Sequence, residues 1–279
     1  MSNDMEEIIM QSCDLPTMPD IAGKVVQLVS DPNTTADILN KAIMADPAMA
    51  ARVLKLANSS FYGCLRSVNT LTQAIVIIGF GTIKNIVLAA STREVYKRFG
   101  LLEKMLHEHS TAVAMATFHI AREISFKNSE EAYLVGLLHD IGKVVLNNSD
   151  SDKFRSVMEE VYNTGRHFGE VEKEVYGFSH YEVGALVIRK WNFSPEMESV
   201  IRFQRDLNML EKGSFALQLA ASVNLADALC FKLGIGVKEA GEIDIESLEA
   251  VSILKLDSAK LASIEEKILK SAEEGEHLS

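Results

Sequence analysis

The sequence predicts an all-α protein, a multi-helix bundle. Three observations carry that prediction. Apolar residues fill 47 % of the 279 positions, enough for a sizeable core and too many for a disordered chain. Only 5 prolines and 16 glycines are present, too few for the frequent turns of a sandwich or barrel. The apolar residues recur at helical spacing, and no stretch alternates for long enough to read as a strand.

The elements follow in order. Residues 37–45 read as a short amphipathic helix. Asp46-Pro47 starts the next, with Asp as N-cap and Pro at the first helical position, and Met49, Val53, Leu56 and Ala57 keep the spacing. A helix opens near Asn69-Thr70 and stops at Gly79. Another covers 82–98 and is stopped by Gly100, and a long one covers 101–124. Residues 129–146, SEEAYLVGLLHDIGKVVL, read as one continuous helix. At Ser179 the start signals are unusually complete. Ser179 and Glu182 form a capping box, and Phe178 and Val183 occupy the staple positions. A helix over 214–233 and two terminal amphipathic helices finish the chain, the last around 257–274 with one charged face toward solvent. A boundary between two subdomains sharing a core is placed near Gly100.

The net charge of −11 disfavours a dedicated nucleic-acid binder. The charge is uneven. Residues 1–40 hold one base against seven acids, 41–104 nine against three, and 105–279 eighteen against twenty-nine. The basic block either faces a phosphate-bearing partner or is neutralised by its acidic neighbours. Residues 36–56 have the outline of a helix–turn–helix, which any two short helices across a tight turn share. Uninterrupted apolar runs fall well short of the ~18 residues of a membrane helix, and the acidic start lacks a secretory signal's basic segment. Cys13, Cys64 and Cys230 lie far apart with no CxxC pair, which fits a reducing cytoplasm and no disulfide framework. No glycine-rich phosphate loop is present. The stretch Ser59-Ser60-Phe61-Tyr62-Gly63 reads as an ordered loop, either a partner contact or one stapled by its own aromatics.

Four apolar helices each carry a polar oddity. Asp227 is the one charged residue in SFALQLAASVNLADALCF (214–231). An unpaired buried carboxylate must find a cation, donors or a proton. His139, Asp140 and Lys143 interrupt an otherwise apolar 132–146. His109 shares a face with Ala112, Val113, Ala116 and Ile120. His180 shares one with Val183, Gly184, Val187 and Trp191. Imidazoles and carboxylates are the ligands of iron, manganese, zinc or magnesium, and converging helices can build such a site inside a bundle. Each residue also has a plainer reading. A core histidine hydrogen-bonds, Asp227 pairs with Lys143, and Lys143 reaches for the helix end. Convergence of the four helices decides between them.

LLHDIGKVVL (137–146) resembles the core motif of the HD superfamily of metal-dependent phosphohydrolases, whose H…HD…D pattern is matched in order by His109, His139-Asp140 and Asp227. LPTMP (15–19), ADPAMAARVLKLANSSFYG (45–63) and SVNTLTQAIVIIGFGTIKNIVLA (67–89) resemble the HDOD domain, a bacterial regulatory relative. HSTAVA (109–114), HDIGKV and HYEVGALVIRKWNFSP (180–195) resemble its later blocks. The resemblance covers about 12–230. It implies an all-α fold with an N-terminal HDOD subdomain (1–100), an HD-like subdomain (101–234) and a C-terminal helical extension (235–279). It also implies a cytoplasmic signalling role, no membrane partner, and input from a signalling protein in trans, since the chain leaves no length for a receiver or sensor domain.

Departures from the related HD-GYP phosphodiesterases bear on activity. Those enzymes carry two adjacent histidines where this chain has Gln204 and Arg205, followed by a GYP motif absent here. Some also use a glutamate where Met105 stands. Loss of those ligands removes a second metal and weakens two-metal clamping of phosphate. Two readings follow. The first is a non-catalytic regulatory module that keeps a divalent metal on His109, His139, Asp140, His180 and Asp227. The second is a mononuclear phosphohydrolase acting on a nucleotide or cyclic dinucleotide. There the ion sits on His109, His139, Asp140 and Asp227, Asp140 also orients water, and Lys143 and His180 contact phosphate.

Overall fold

A computed structural model describes residues 3–58, 68–126, 129–235 and 241–276. No strand occurs among them, and the chain is all-α as the sequence predicts. In chain order the helices are α1 (Asn3–Ser12), α2 (Asp20–Ser30), α3 (Ala36–Met44), α4 (Pro47–Ala57), α5 (Leu71–Thr92) and α6 (Leu101–Glu123). Then come α7 (Ser129–Leu138), α8 (Ile141–Ser149), α9 (Ser151–Thr164), α10 (Phe168–Tyr176) and α11 (His180–Lys190). The last are α12 (Pro195–Phe203), α13 (Phe215–Leu233), α14 (Glu249–Leu254) and α15 (Ser258–Glu276). The 59–63 loop and Cys64 lie outside the described residues.

Local chemistry sets the helix starts. Asp46 accepts from the backbone N–H of Ala48 at 2.9 Å and Met49 at 3.0 Å, ahead of Pro47. Ser214 accepts from Leu217 N at 3.1 Å to begin α13. Glu182 accepts from Ser179 N at 2.9 Å to begin α11, and the staple residues Phe178 and Val183 are buried.

Two expected boundaries differ. The stop at Gly79 is a kink inside α5, where Gly79 takes φ +85°, a conformation other residues adopt only with strain. The helix then ends at Thr92, followed by a 3-10 turn over Arg93–Val95. The single helix expected over 129–146 is two. His139 and Asp140 occupy the turn between α7 and α8, and Asp140 holds the N-cap position of α8 while its carboxylate turns away from the helix N–H groups. Both halves are apolar, so periodicity does not mark the break.

The core has two main parts. The smaller joins Val25, Leu39, Ile43, Met49, Val53, Ile75 and Ile86 of α2–α5. The larger runs from Ile9 and Leu15 through α6–α9 and α11–α15. Helices α2 and α5 contribute to both, with Val25 and Val87 in the smaller core and Ala22 and Leu88 in the larger. The LPTMP segment is fastened to the end of α11, where Lys190 Nζ donates to Leu15 O at 2.5 Å and Trp191 Nε1 to Pro16 O at 3.0 Å. By length and hydropathy two stretches match a membrane span, Leu71–Val95 and Phe215–Leu233, although uninterrupted apolar runs suggested none. Within this fold 44 % of the first and 61 % of the second is buried.

Candidate metal centre

Helices α6, α7, α8, α11 and α13 converge on one buried cluster. His109 is on α6, His139 and Asp140 are in the α7–α8 turn, His180 opens α11, and Asp227 is on α13. Ligand atoms of His109, His139 and Asp227 all lie within 4.8 Å of one another. That is close to the span of two metal–ligand bonds of roughly 2.1 Å each. His109 Nε2 is 3.2 Å from Asp227 Oδ1 and 3.8 Å from Asp140 Oδ2. His139 Nε2 is 3.4 Å from Asp140 Oδ2.

The donor set fits an ion. His139 Nδ1 donates to Gly136 O at 2.7 Å, which fixes the tautomer and leaves Nε2 as a bare lone pair. That Nε2 is buried and has no hydrogen-bond partner. A buried acceptor facing two carboxylates is poorly served by the protein alone and well served by a cation.

His180 lies one step out. Its Nδ1 meets Glu172 Oε2 at 2.5 Å and its Nε2 is 3.2 Å from Asp140 Oδ1. The same Glu172 oxygen accepts from His180 N at 2.8 Å, so this fully buried carboxylate holds both the ring and the start of α11. Lys143 Nζ pairs with Asp140 Oδ2 at 2.6 Å, not with Asp227, and lies 4.1 Å from the centre of the Phe168 ring. Burial favours a protonated Asp140. The His139 imidazole, the Lys143 ammonium and His180 outweigh it and hold the carboxyl well below its ordinary value. Burial likewise works against the Lys143 charge, and Asp140 and Asp227 together raise it. Against its own desolvation, Asp227 is held down to about 2 by its bond to His109. The His180 imidazole is raised by Glu172 although burial opposes it.

Asp227 keeps 36 % of its side chain exposed, whereas Asp140 keeps 4 %, so the cluster opens to solvent on the Asp227 side. Gln204 is buried and turned away from the centre. Its side-chain amide donates to His139 O at 2.8 Å, and its backbone carbonyl accepts from Asn224 Nδ2 at 2.9 Å. Arg205 is exposed beside His167. Sequence reasoning missed Glu172, which stands among the charged neighbours Glu170, Lys173 and Glu174 and shows no apolar signal around it.

Comparison with known proteins gives the same frame. The HDOD domain pattern matches residues 15–207. An HDOD domain protein of unknown function from Geobacter sulfurreducens has the same fold, with TM-score 0.85 and 24 % identity over 98 % of this chain and 96 % of that one. A candidate metal-dependent phosphohydrolase from Shewanella amazonensis superposes with TM-score 0.67 and 19 % identity over 95 % and 96 % of the two chains. An uncharacterized protein of Treponema pallidum is 20 % identical over 195 residues, 70 % of this chain, and the match spans 38 % of that curated relative's length. With the H…HD…D residues gathered in one buried cluster and the family pattern spanning more than half of its length, the chain belongs to the HDOD domain family.

Proposed function

We propose that the chain is a regulatory HDOD module that holds one divalent ion and hydrolyses no phosphoester. The observation that supports this most is the donor set. Among the described residues one group of three or more ligand atoms converges, that of His109, His139 and Asp227. The positions that carry a histidine pair in HD-GYP enzymes hold a buried glutamine aimed at a backbone carbonyl and an exposed arginine.

In this reading His109, His139, Asp140 and Asp227 hold the ion. Lys143 and His180 fix Asp140, and Glu172 fixes His180. A bound divalent ion would polarise a ligand oxygen and acidify bound water. With donors for a single ion, the two-sided clamp on attacking and leaving oxygens is missing. The module then acts in a cytoplasmic bacterial signalling pathway, taking its input from a protein partner in trans.

Elemental analysis of the purified protein and of His139→Ala tests the ion, with about one equivalent expected in the first and none in the second. Assays on cyclic dinucleotides and simple phosphoesters with added manganese, iron, zinc or magnesium test the rest. Metal-dependent turnover that disappears in Asp140→Ala would overturn the non-catalytic reading. It would favour a mononuclear phosphohydrolase, which the solvent opening at Asp227 and the buried cation of Lys143 support.

A further inference from the structure

The rim of the centre carries a cation that the ion-binding reading does not use. Gln204 is pinned between His139 O and Asn224, and Asn224 lies one turn before Asp227 on α13. Residue 205 therefore follows a residue bonded both to the His139 carbonyl and to the turn of α13 that leads to Asp227. The Arg205 guanidinium lies 3.0 Å from His167 Nδ1 and 3.1 Å from its Nε2. No carboxylate among the described residues comes within 4.0 Å of it. His167 keeps the guanidinium in place without cancelling its charge. Phe168, the next residue, carries the Lys143 ammonium on its ring. Tyr181 lies against His180 with ring centres 3.8 Å apart and ring planes tilted by 46°. Arg205 and His167 are thus tied to the centre through their chain neighbours, Gln204 on the His139 carbonyl and Phe168 under the Lys143 ammonium.

Glu172 is paired with His180, so without an ion the carboxylates of Asp140 and Asp227 outnumber the Lys143 ammonium and disfavour an anion. A divalent ion reverses that sign, and Arg205 adds to it. A guanidinium offers a planar fork of donors that suits phosphate oxygens, and this one has no competing carboxylate.

We propose that Arg205, held by His167, forms an anion-binding rim that takes the phosphate group of a small phosphorylated ligand once the neighbouring centre holds its divalent ion. The proposal rests on the single-ion reading above and names what that centre recognises. Linkage makes the effect reciprocal, so phosphate tightens metal binding by the factor by which metal tightens phosphate binding.

Calorimetric titration tests it, with inorganic phosphate and adenosine monophosphate as probes. Each is added to manganese-loaded and metal-free protein, in wild type, Arg205→Gln and Arg205→Lys, and manganese content is measured separately. Phosphate is expected to bind the loaded wild type and to bind Arg205→Gln roughly tenfold more weakly, the loss of one charge-assisted hydrogen bond. Arg205→Lys falls between them, because a point charge replaces the fork. Metal-free protein binds phosphate at least tenfold more weakly than loaded protein. Tighter binding of the nucleotide identifies a nucleotide ligand, and equal binding identifies the phosphate alone. Equal affinities in wild type and Arg205→Gln, no phosphate binding to loaded protein, or binding indifferent to manganese would each overturn the rim while leaving the ion site standing. Failure of the wild type to take up manganese would instead sink the single-ion reading, and the rim with it.

Discussion

Gly142 of α8 packs its backbone directly against His180 of α11. A β-carbon at Gly142 would fall 1.9 Å from His180 O and 2.9 Å from Gly184 N. The contact is backbone on backbone, so no side chain can swing aside. The glycine of HDIGK thereby brings Asp140, two residues earlier, to within 3.2 Å of His180 Nε2.

Gly142→Ala is therefore expected to lower stability by about 3 kcal/mol, the upper part of the usual overpacking range, because the two helices must separate. The displaced α11 would also carry His180 away from Asp140. Urea unfolding reads the first effect, and a weaker manganese affinity in the fraction still folded reads the second. A stable variant with unchanged affinity would show that the close approach does not position the centre.

Lys143→Met tests the buried pair. It leaves the Asp140 carboxylate without its 2.6 Å partner, and breaking a buried pair costs about 3–5 kcal/mol. Adding Asp140→Asn removes the stranded charge, so the double variant should lose less than the single ones summed. The pH dependence has a definite sign. Asp140 is held below its unfolded value, so its contribution is complete above about pH 4 and is lost as pH falls through the lower folded value. The gap between wild type and Lys143→Met narrows on acidification below about pH 4. A gap constant with pH would point to packing as the cause of the loss.

Legibility in the sequence followed local chemistry. Helices α4, α11 and α13 were marked by Asp46-Pro47, by the Ser179–Glu182 box and by Ser214, all of which act within one turn. His109, His139, Asp140 and Asp227 stood out because each is polar in an apolar stretch. Helices α9 and α10 were not seen. The first buries only Phe154, Val157 and Met158 of its fourteen residues, too thin a stripe against its charged neighbours. The α7–α8 break was hidden because apolar residues flank it on both sides. Glu172 was invisible for a different reason. Its burial depends on α10 packing against the start of α11, a contact that spacing along the chain does not encode.

A separate acid response is expected at the joint between α6 and α15. His119 Nε2 lies 2.8 Å from Ser271 Oγ. Burial, with Lys267 and Arg122 nearby, pushes the His119 imidazole down to about 4. The unfolded chain takes up that proton near pH 6.5, well before the folded one does. Stability from this site is therefore whole above pH 6.5, declines as pH falls toward 4, and levels off below it. The expected decline is on the order of 2 kcal/mol, discounted for partial exposure. His119→Gln keeps a hydrogen-bonding group and removes the titration. Its unfolding free energy should fall less steeply than wild type between pH 6.5 and 4, and parallel curves would exclude His119 as the source.

Metal binding should also appear as stability. An ion that binds only the folded chain raises the unfolding free energy by RT ln(1 + [L]/Kd), about 2.7 kcal/mol at a hundredfold excess over Kd. The ligand residues come from α6, the α7–α8 turn and α13, which are separated along the chain, so the unfolded state cannot reproduce the site. Manganese should therefore raise the melting temperature of wild type and leave His139→Ala unmoved, because that variant loses the one imidazole nitrogen already fixed as a free lone pair. His180→Asn separates ligand from support. It keeps His109, His139 and Asp227 but releases Asp140 from its neighbour, so a smaller shift is expected at the same metal concentration. A full shift in His180→Asn would place His180 outside the support of the ion, and an undiminished shift in His139→Ala would move the ion elsewhere in the fold.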